Sequence, residues 1–118
     1  MKVDTLIKNG LIVQPHGILD AGIGIEGEKI VVIAGDSNLP QADRVIDVKG
    51  KFVLPGCIDV FAGTKDPGGW EQEDWKTCSE AAAVGGVTMI LDKSGPNPPT
   101  SNLEGLRAKV KSAEASPL

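Results

Sequence analysis

The chain has 118 residues, of which 41% are hydrophobic and 3% aromatic, and its formal net charge at pH 7 is −4. This length suits one modest domain or two small ones. The acidic balance argues against nucleic-acid binding, for which a basic face is expected. No apolar run approaches the ~18 residues of a membrane span, and the first residues lack the apolar core of a secretory signal. We therefore expect a cytoplasmic protein.

Residues 1–55 predict a β domain made of short strands separated by glycine turns. Asn9-Gly10 is a type I′ turn signal and predicts a hairpin near the start of the chain. Glu26-Gly27 is a second turn signal between two apolar segments. Further strands are predicted over 18–25, 29–34, 44–48 and 52–54. Together these elements indicate a β-meander or half-sandwich.

Residues 56–118 change to an alternation of strands and helices. The apolar run 57–61 is typical of a strand that is buried on both faces. A helix is predicted over 72–84, and a second apolar strand over 87–91 follows it. Strand-helix-strand units of this kind place their two strands parallel in one sheet. We therefore expect a parallel pair of strands with a helix between them.

A last helix is predicted after the loop that ends at Thr100. Ser101 and Glu104 have the spacing of a capping box, and Pro117 would end the helix. Four apolar residues form one stripe that we expect to be buried: Leu103, Leu106, Val110 and Ala113.

The segment from Pro55 to Gly68 resembles the pattern P-G-x-I-D-x-H-x-H-x-R-x-P-G of the cyclic amidohydrolases dihydroorotase, hydantoinase and allantoinase. Shorter resemblances occur in the same order along the chain, at Lys8-Asn9-Gly10, 46–51, 80–88 and 97–100. The resemblance implies an α/β protein whose β domain, 1–55, leads into a (β/α)₈ barrel. A barrel needs about 250 residues. We therefore expect 56–118 to be the first two strands and helices of an incomplete, truncated barrel.

The resemblance places Phe61 and Gly63 where the family has its two metal-binding histidines. Residues i and i+2 of a strand share a face, so two such imidazoles hold one divalent ion together. Phe61 has no lone pair and Gly63 has no side chain. The family uses zinc or another divalent metal, whose further ligands come from later strands. We therefore predict no metal, no cofactor and no catalytic residue in this chain.

Two more positions match substrate-binding residues of the family but differ in residue type. Lys65 stands where the family has an arginine, and it keeps the charge without the bidentate grip on a carboxylate. Gly95 stands where the family has an asparagine. Asp59 matches an aspartate just before the histidine pair, and we expect it to accept backbone N–H groups in a structural or supporting role.

The other residues with chemical potential have ordinary interpretations. His16, the single histidine, is expected on the surface. Cys57 and Cys78 are too few for a zinc motif and are expected to be reduced and partly buried. Asp92 is expected to be a solvated or capping carboxylate at the end of the second strand. Of the two tryptophans, Trp75 is expected in the core and Trp70 at the surface or an interface.

Three functional hypotheses follow from different classes. The chain is an amidohydrolase-like piece without catalytic capacity, or a non-catalytic scaffold that partners a protein such as aspartate carbamoyltransferase, as some dihydroorotase relatives do. The third hypothesis is an active hydrolase with relocated chemistry, for which the sequence offers no new nucleophile or base. Open strand edges also predict self-association.

Overall fold

The computed structural model describes residues 2–69, 71–93 and 97–116. The chain divides into two compact units, Met1–Pro55 and Gly56–Leu118. The first unit is built mostly of strands, whereas the second contains two strands and two helices. The α/β class expected from the sequence is therefore confirmed.

The first unit is a five-stranded sheet with the strand order β3-β2-β1-β4, in which β5 also pairs with β1. Its strands are β1 (Lys2–Gln14), β2 (Gly17–Glu26), β3 (Lys29–Ala34), β4 (Gln41–Asp47) and β5 (Phe52–Val53). The first three are antiparallel neighbours, but β4 and β5 lie parallel to β1 on its other edge. The predicted meander is wrong because the connection through Asp36–Asn38 brings β4 to the far edge of β1, not next to β3.

The hairpin predicted at Asn9-Gly10 is also wrong, because β1 runs straight through both residues. Asn9 has φ 57°, and the register with β2 shifts between Ile7 and Gly10, which is the signature of a β-bulge. The N–H of Asn9 donates to Oδ2 of Asp36 at 2.9 Å. Asparagine tolerates the left-handed region in a turn and in a bulge alike, so the local sequence is compatible with both structures.

The core of the first unit lies on β1 and β2. Ile12, Ala21 and Ile23 are buried together. The second turn signal is confirmed, since Gly27 has φ 59° and the chain reverses there from β2 into β3. A residue without Cβ adopts this conformation without strain.

The second unit contains β6 (Cys57–Ala62), α1 (Trp75–Val84), β7 (Val87–Asp92) and α2 (Leu103–Glu114). β6 and β7 are parallel, which confirms the strand-helix-strand prediction. The helices have 10 and 12 residues. Within the described ranges, no helix has both the length and the apolar character needed to cross a membrane.

Helix α1 begins three residues later than predicted because Asp74 caps it. The Asp74 carboxylate accepts the N–H of Thr77 at 2.7 Å, and Thr77 Oγ1 accepts the N–H of Asp74 at 3.3 Å. The hydrogen bonds from Thr77 lower the pKa of the Asp74 carboxyl. The helix ends as predicted at the two glycines, with Gly86 at φ 78°.

Strand β6 is exposed rather than buried on both faces, so that prediction is wrong. The side chains of Val60 and Phe61 are 70% and 71% exposed. Within the part of the chain that the structure describes, β7 is the only strand paired with β6. Apolar side chains that a larger sheet would cover therefore point to solvent.

Helix α2 differs from its prediction at its start and on its buried face. Its cap is Asn102, whose side chain accepts the N–H of Gly105 at 2.8 Å, and not the predicted box of Ser101 and Glu104. The buried residues of the helix are Gly105 and Lys109, while Leu103, Leu106 and Val110 of the expected apolar stripe are exposed. The helix thus packs through a lysine and small residues. Pro117 lies outside the described residues.

Candidate functional site

Phe61 and Gly63 lie at the carboxyl end of β6, beside the end of β7. Lys93, the first residue after β7, extends across both of them. Its Nζ lies 4.6 Å from the centroid of the Phe61 ring. A Cβ added at Gly63 would come within 2.8 Å of Cε and 3.4 Å of Nζ of Lys93. The side chain of Lys93 therefore lies beside both Phe61 and Gly63, the two positions that the resemblance matches to the metal-binding histidines.

The backbone of Lys93 is held from two sides. Its N–H donates to the carbonyl of Ala62, the last residue of β6, at 3.1 Å. Its carbonyl oxygen accepts a hydrogen bond from the ammonium of Lys109 in α2 at 3.0 Å. These two hydrogen bonds fix the start of the Lys93 side chain above the end of β6.

The structure describes three of the remaining sequence candidates, Asp59, Lys65 and His16. Asp59 Oδ1 accepts the N–H of Phe61 at 2.9 Å, which is the kind of backbone contact expected for it, while its supporting role stays a prediction. Lys65 is exposed in the loop after β6. His16 is exposed in the turn between β1 and β2, in the other unit. Gly95 and Trp70 lie outside the described residues.

A buried polar cluster behind the strand ends escaped the sequence analysis. Asp92, expected to be a solvated or capping carboxylate, is not solvated: its side chain is only 4% exposed, and its carboxylate pairs with the ammonium of Lys109. The same carboxylate accepts the N–H of Thr64 at 2.7 Å and its hydroxyl at 3.0 Å. Thr64 and Lys109 are themselves buried. The cluster joins the ends of β6 and β7 to the middle of α2.

The side chain of Ser112 adds a second polar contact between α2 and the loop after β6. Its hydroxyl donates to Oδ1 of Asp66 at 2.5 Å. Ser112 lies one turn after Lys109 on the helix, so both residues share a face. Helix α2 is therefore attached by polar contacts near the carboxyl ends of the strands.

Several proteins named as cyclic amidohydrolases are similar to this chain. The dihydroorotase of Methanosarcina acetivorans is 37% identical over 110 residues, covering 93% of this chain and 24% of that protein. The allantoinase of Bacillus licheniformis is 35% identical over 118 residues, covering 97% of this chain and 26% of that protein. The solved L-hydantoinase (dihydropyrimidinase) from Arthrobacter aurescens superposes with a TM-score of 0.84, at 34% identity, over 94% of this chain and 25% of that one.

The chain belongs to the cyclic amidohydrolase family. This confirms the resemblance inferred from the segment 55–68 and the shorter matches along the sequence. The chain spans about a quarter of the length of the relatives it matches. No family model matches it.

A metal of the kind used by cyclic amidohydrolases does not fit the residues found at the end of β6. The side chains of Phe61 and Gly63 offer no electron pair, and the ammonium of Lys93 would repel a divalent cation at this place. Among residues 2–69, 71–93 and 97–116, no three His, Cys, Asp or Glu side chains lie together as a metal site would require.

A groove of about 530 Å³ lies between α1, β7 and α2 of this amidohydrolase unit. Its lining is mostly small or apolar: Trp75, Ser79, Ala82, Ala83, Val87, Thr88, Ile90, Ala113 and Ser116. Trp75 is half-buried, and within the described part of the chain its Nε1 is buried without a hydrogen-bond partner. Its ring lies 5.8 Å from Nζ of Lys109. Among the described residues, the lining of the groove includes no Asp, Glu, His, Lys, Arg or Cys side chain.

The two cysteines are free thiols in different environments, so we expect them to react at different rates. Cys57 is exposed, contrary to the expectation that both would be partly buried, whereas Cys78 is half-buried. Burial raises the pKa of the Cys78 thiol, and nearby carboxylates raise it further. Because the thiolate is the nucleophile, modification by Ellman's reagent at pH 8 should show a fast and a slow phase. Cys57→Ala should remove the fast phase and Cys78→Ala the slow one; equal rates in both variants would contradict this assignment.

Proposed function

We propose that this chain is a member of the cyclic amidohydrolase family that does not itself hydrolyse cyclic amides. The observation that supports the proposal is that Phe61, Gly63 and the ammonium of Lys93 lie together at the end of β6. None of these three side chains binds a metal ion. Metal-assisted hydrolysis needs a held ion that activates water. An ammonium held in the same place provides positive charge but no coordination position.

The same proposal extends to the architecture of residues 56–118. We interpret β6, α1, β7 and α2 as the first two strand-helix pairs of a (β/α)₈ barrel. The parallel pairing of β6 and β7 and their exposed apolar side chains support this interpretation. In such barrels the carboxyl ends of the strands carry the catalytic residues, which is where Phe61, Gly63 and Lys93 lie.

The test is metal content and turnover of the purified 118-residue chain. After dialysis against zinc and removal of loosely bound metal, we expect far less than one zinc per chain by elemental analysis. We also expect no hydrolysis of dihydroorotate, hydantoin or allantoin above the uncatalysed rate. The L-hydantoinase of Arthrobacter aurescens, treated in parallel, serves as the positive control. Stoichiometric zinc together with metal-dependent turnover would overturn the proposal.

We further propose that the chain associates with copies of itself. Exposed apolar side chains on β6 and β7 favour this, since such surface is unfavourable in water. A scaffolding role beside aspartate carbamoyltransferase stays a prediction, as does the cytoplasmic location. The third hypothesis, relocated hydrolytic chemistry, has no support in the described side chains.

A further inference from the structure

We infer that Lys93 is a built-in cation that takes the place of the metal ion of the amidohydrolase family and keeps divalent metals out. This inference rests on the proposed absence of metal chemistry and goes beyond it. Beyond the absence of metal-binding side chains, a specific positive charge lies at their place.

The geometry supports this role in three ways. Nζ of Lys93 lies over the Phe61 ring at 4.6 Å, a cation–π distance. The same nitrogen lies 3.4 Å from where a Cβ at position 63 would stand, so the ammonium is adjacent to both former ligand positions. Glycine at position 63 leaves room for the lysine side chain, whose flexible end would have to shift only slightly to admit a Cβ, since that Cβ would lie 2.8 Å from Cε.

The backbone of Lys93 is anchored on both sides, while its side chain is exposed. Its N–H is bonded to Ala62 of β6 and its carbonyl to Lys109 of α2. Lys109 is in turn held by the buried carboxylate of Asp92. The side chain of Lys93 therefore leaves the backbone from a fixed point between the two strand ends.

The consequence is electrostatic and measurable. A unit charge and a divalent ion about 5 Å apart in water repel each other enough to weaken binding roughly tenfold. Restoring the two histidines alone should therefore give a poor metal site. Removing the lysine charge in the same protein should improve it.

The experiment compares three full-length variants in titrations with cobalt(II) ions, followed by calorimetry and visible absorption. The first is Phe61→His with Gly63→His, and the second adds Lys93→Met. The third adds Lys111→Met instead, which removes one exposed positive charge from α2 and so matches the net charge. We expect the Lys93→Met protein to bind cobalt at least tenfold more tightly than the other two. Equal affinity in all three would overturn the inference.

A second measurement decides the matter even where cobalt binds too weakly to titrate. In the single variant Phe61→His, the nearby ammonium disfavours the protonated imidazole and so lowers the pKa of the introduced ring. Adding Lys93→Met should raise that pKa by roughly half a unit, read from the imidazole proton signals in an NMR titration. An unchanged value would show that the ammonium is not at this place. Neither outcome depends on whether the natural chain hydrolyses any cyclic amide, so this test is distinct from the turnover assay.

Discussion

Replacing Lys109 by methionine is expected to lower the free energy of unfolding of the 56–118 unit by about 3 kcal/mol. Methionine preserves most of the side-chain volume but removes the ammonium. The side chains of Lys109 and Asp92 are only 9% and 4% exposed, so the carboxylate would be left buried with the two hydrogen bonds from Thr64. An uncompensated buried charge is among the larger single causes of destabilisation. Urea unfolding followed by tryptophan fluorescence reports on this unit alone, because both tryptophans lie in it.

The matched control is Lys111→Met, which removes an exposed positive charge two residues further along α2. It should change the unfolding free energy by no more than about 0.5 kcal/mol. The double variant Asp92→Asn with Lys109→Met removes both charges, so it should be less destabilised than the sum of the two single variants. If Lys109→Met proved no more harmful than Lys111→Met, the buried pair would not be what holds α2.

The strands were largely predictable where the sequence pattern is local. The strand over 29–34 matches β3, and the parallel pair β6 and β7 follows from two apolar runs around one helix. The helix stop at Gly85-Gly86 was likewise specified by residues that need no distant partner. Periodicity and turn chemistry are short-range signals, and they performed well for short-range structure.

Predictions failed where distant partners decide the outcome. Asn9 can sit in a turn or a bulge, and the presence of strands on both edges of β1 selects the bulge. The apolar stripe of α2 suggested a buried face, but the pairing of Lys109 with Asp92 orients a different face inward. These two residues are 17 positions apart, and no spacing rule links a helix lysine to a strand-end aspartate across a loop.

The candidate site shows the same division. A motif match located Phe61 and Gly63, since their positions are fixed relative to the aspartate and prolines of the pattern. Lys93 is not among the residues that the sequence singles out, and its contact with both residues depends on the pairing of β6 with β7. The sequence thus shows that the two metal-binding histidines are missing, and the structure shows that the ammonium of Lys93 lies in their place.

The second large effect concerns association, which we expect to depend on concentration and to require the surface of β6. Within the described ranges β6 pairs on one edge only, with β7, so its other edge is open to a further strand, although the N–H of Phe61 is bonded to Oδ1 of Asp59. Apart from Asp59, the side chains along β6 are apolar or a thiol, and Val60 is 70% exposed. Pairing of two copies at this edge would satisfy the backbone groups and cover apolar surface at once.

A lysine on such an edge opposes pairing, because its charge would have to be desolvated or brought against an equal charge. Sedimentation velocity over a hundredfold dilution series should show the natural chain shifting from larger species to monomer, and Val60→Lys should weaken association at least tenfold. Gln72→Lys changes the net charge equally at an exposed polar position outside the strands, and it should associate as the natural chain does.

A natural chain that sediments as a sharp monomer at every concentration and melts cooperatively would show that the exposed side chains of β6 need no cover. In that case the apolar surface would have to be stable in water on an unpaired strand edge, which runs against the energetics of both the side chains and the backbone.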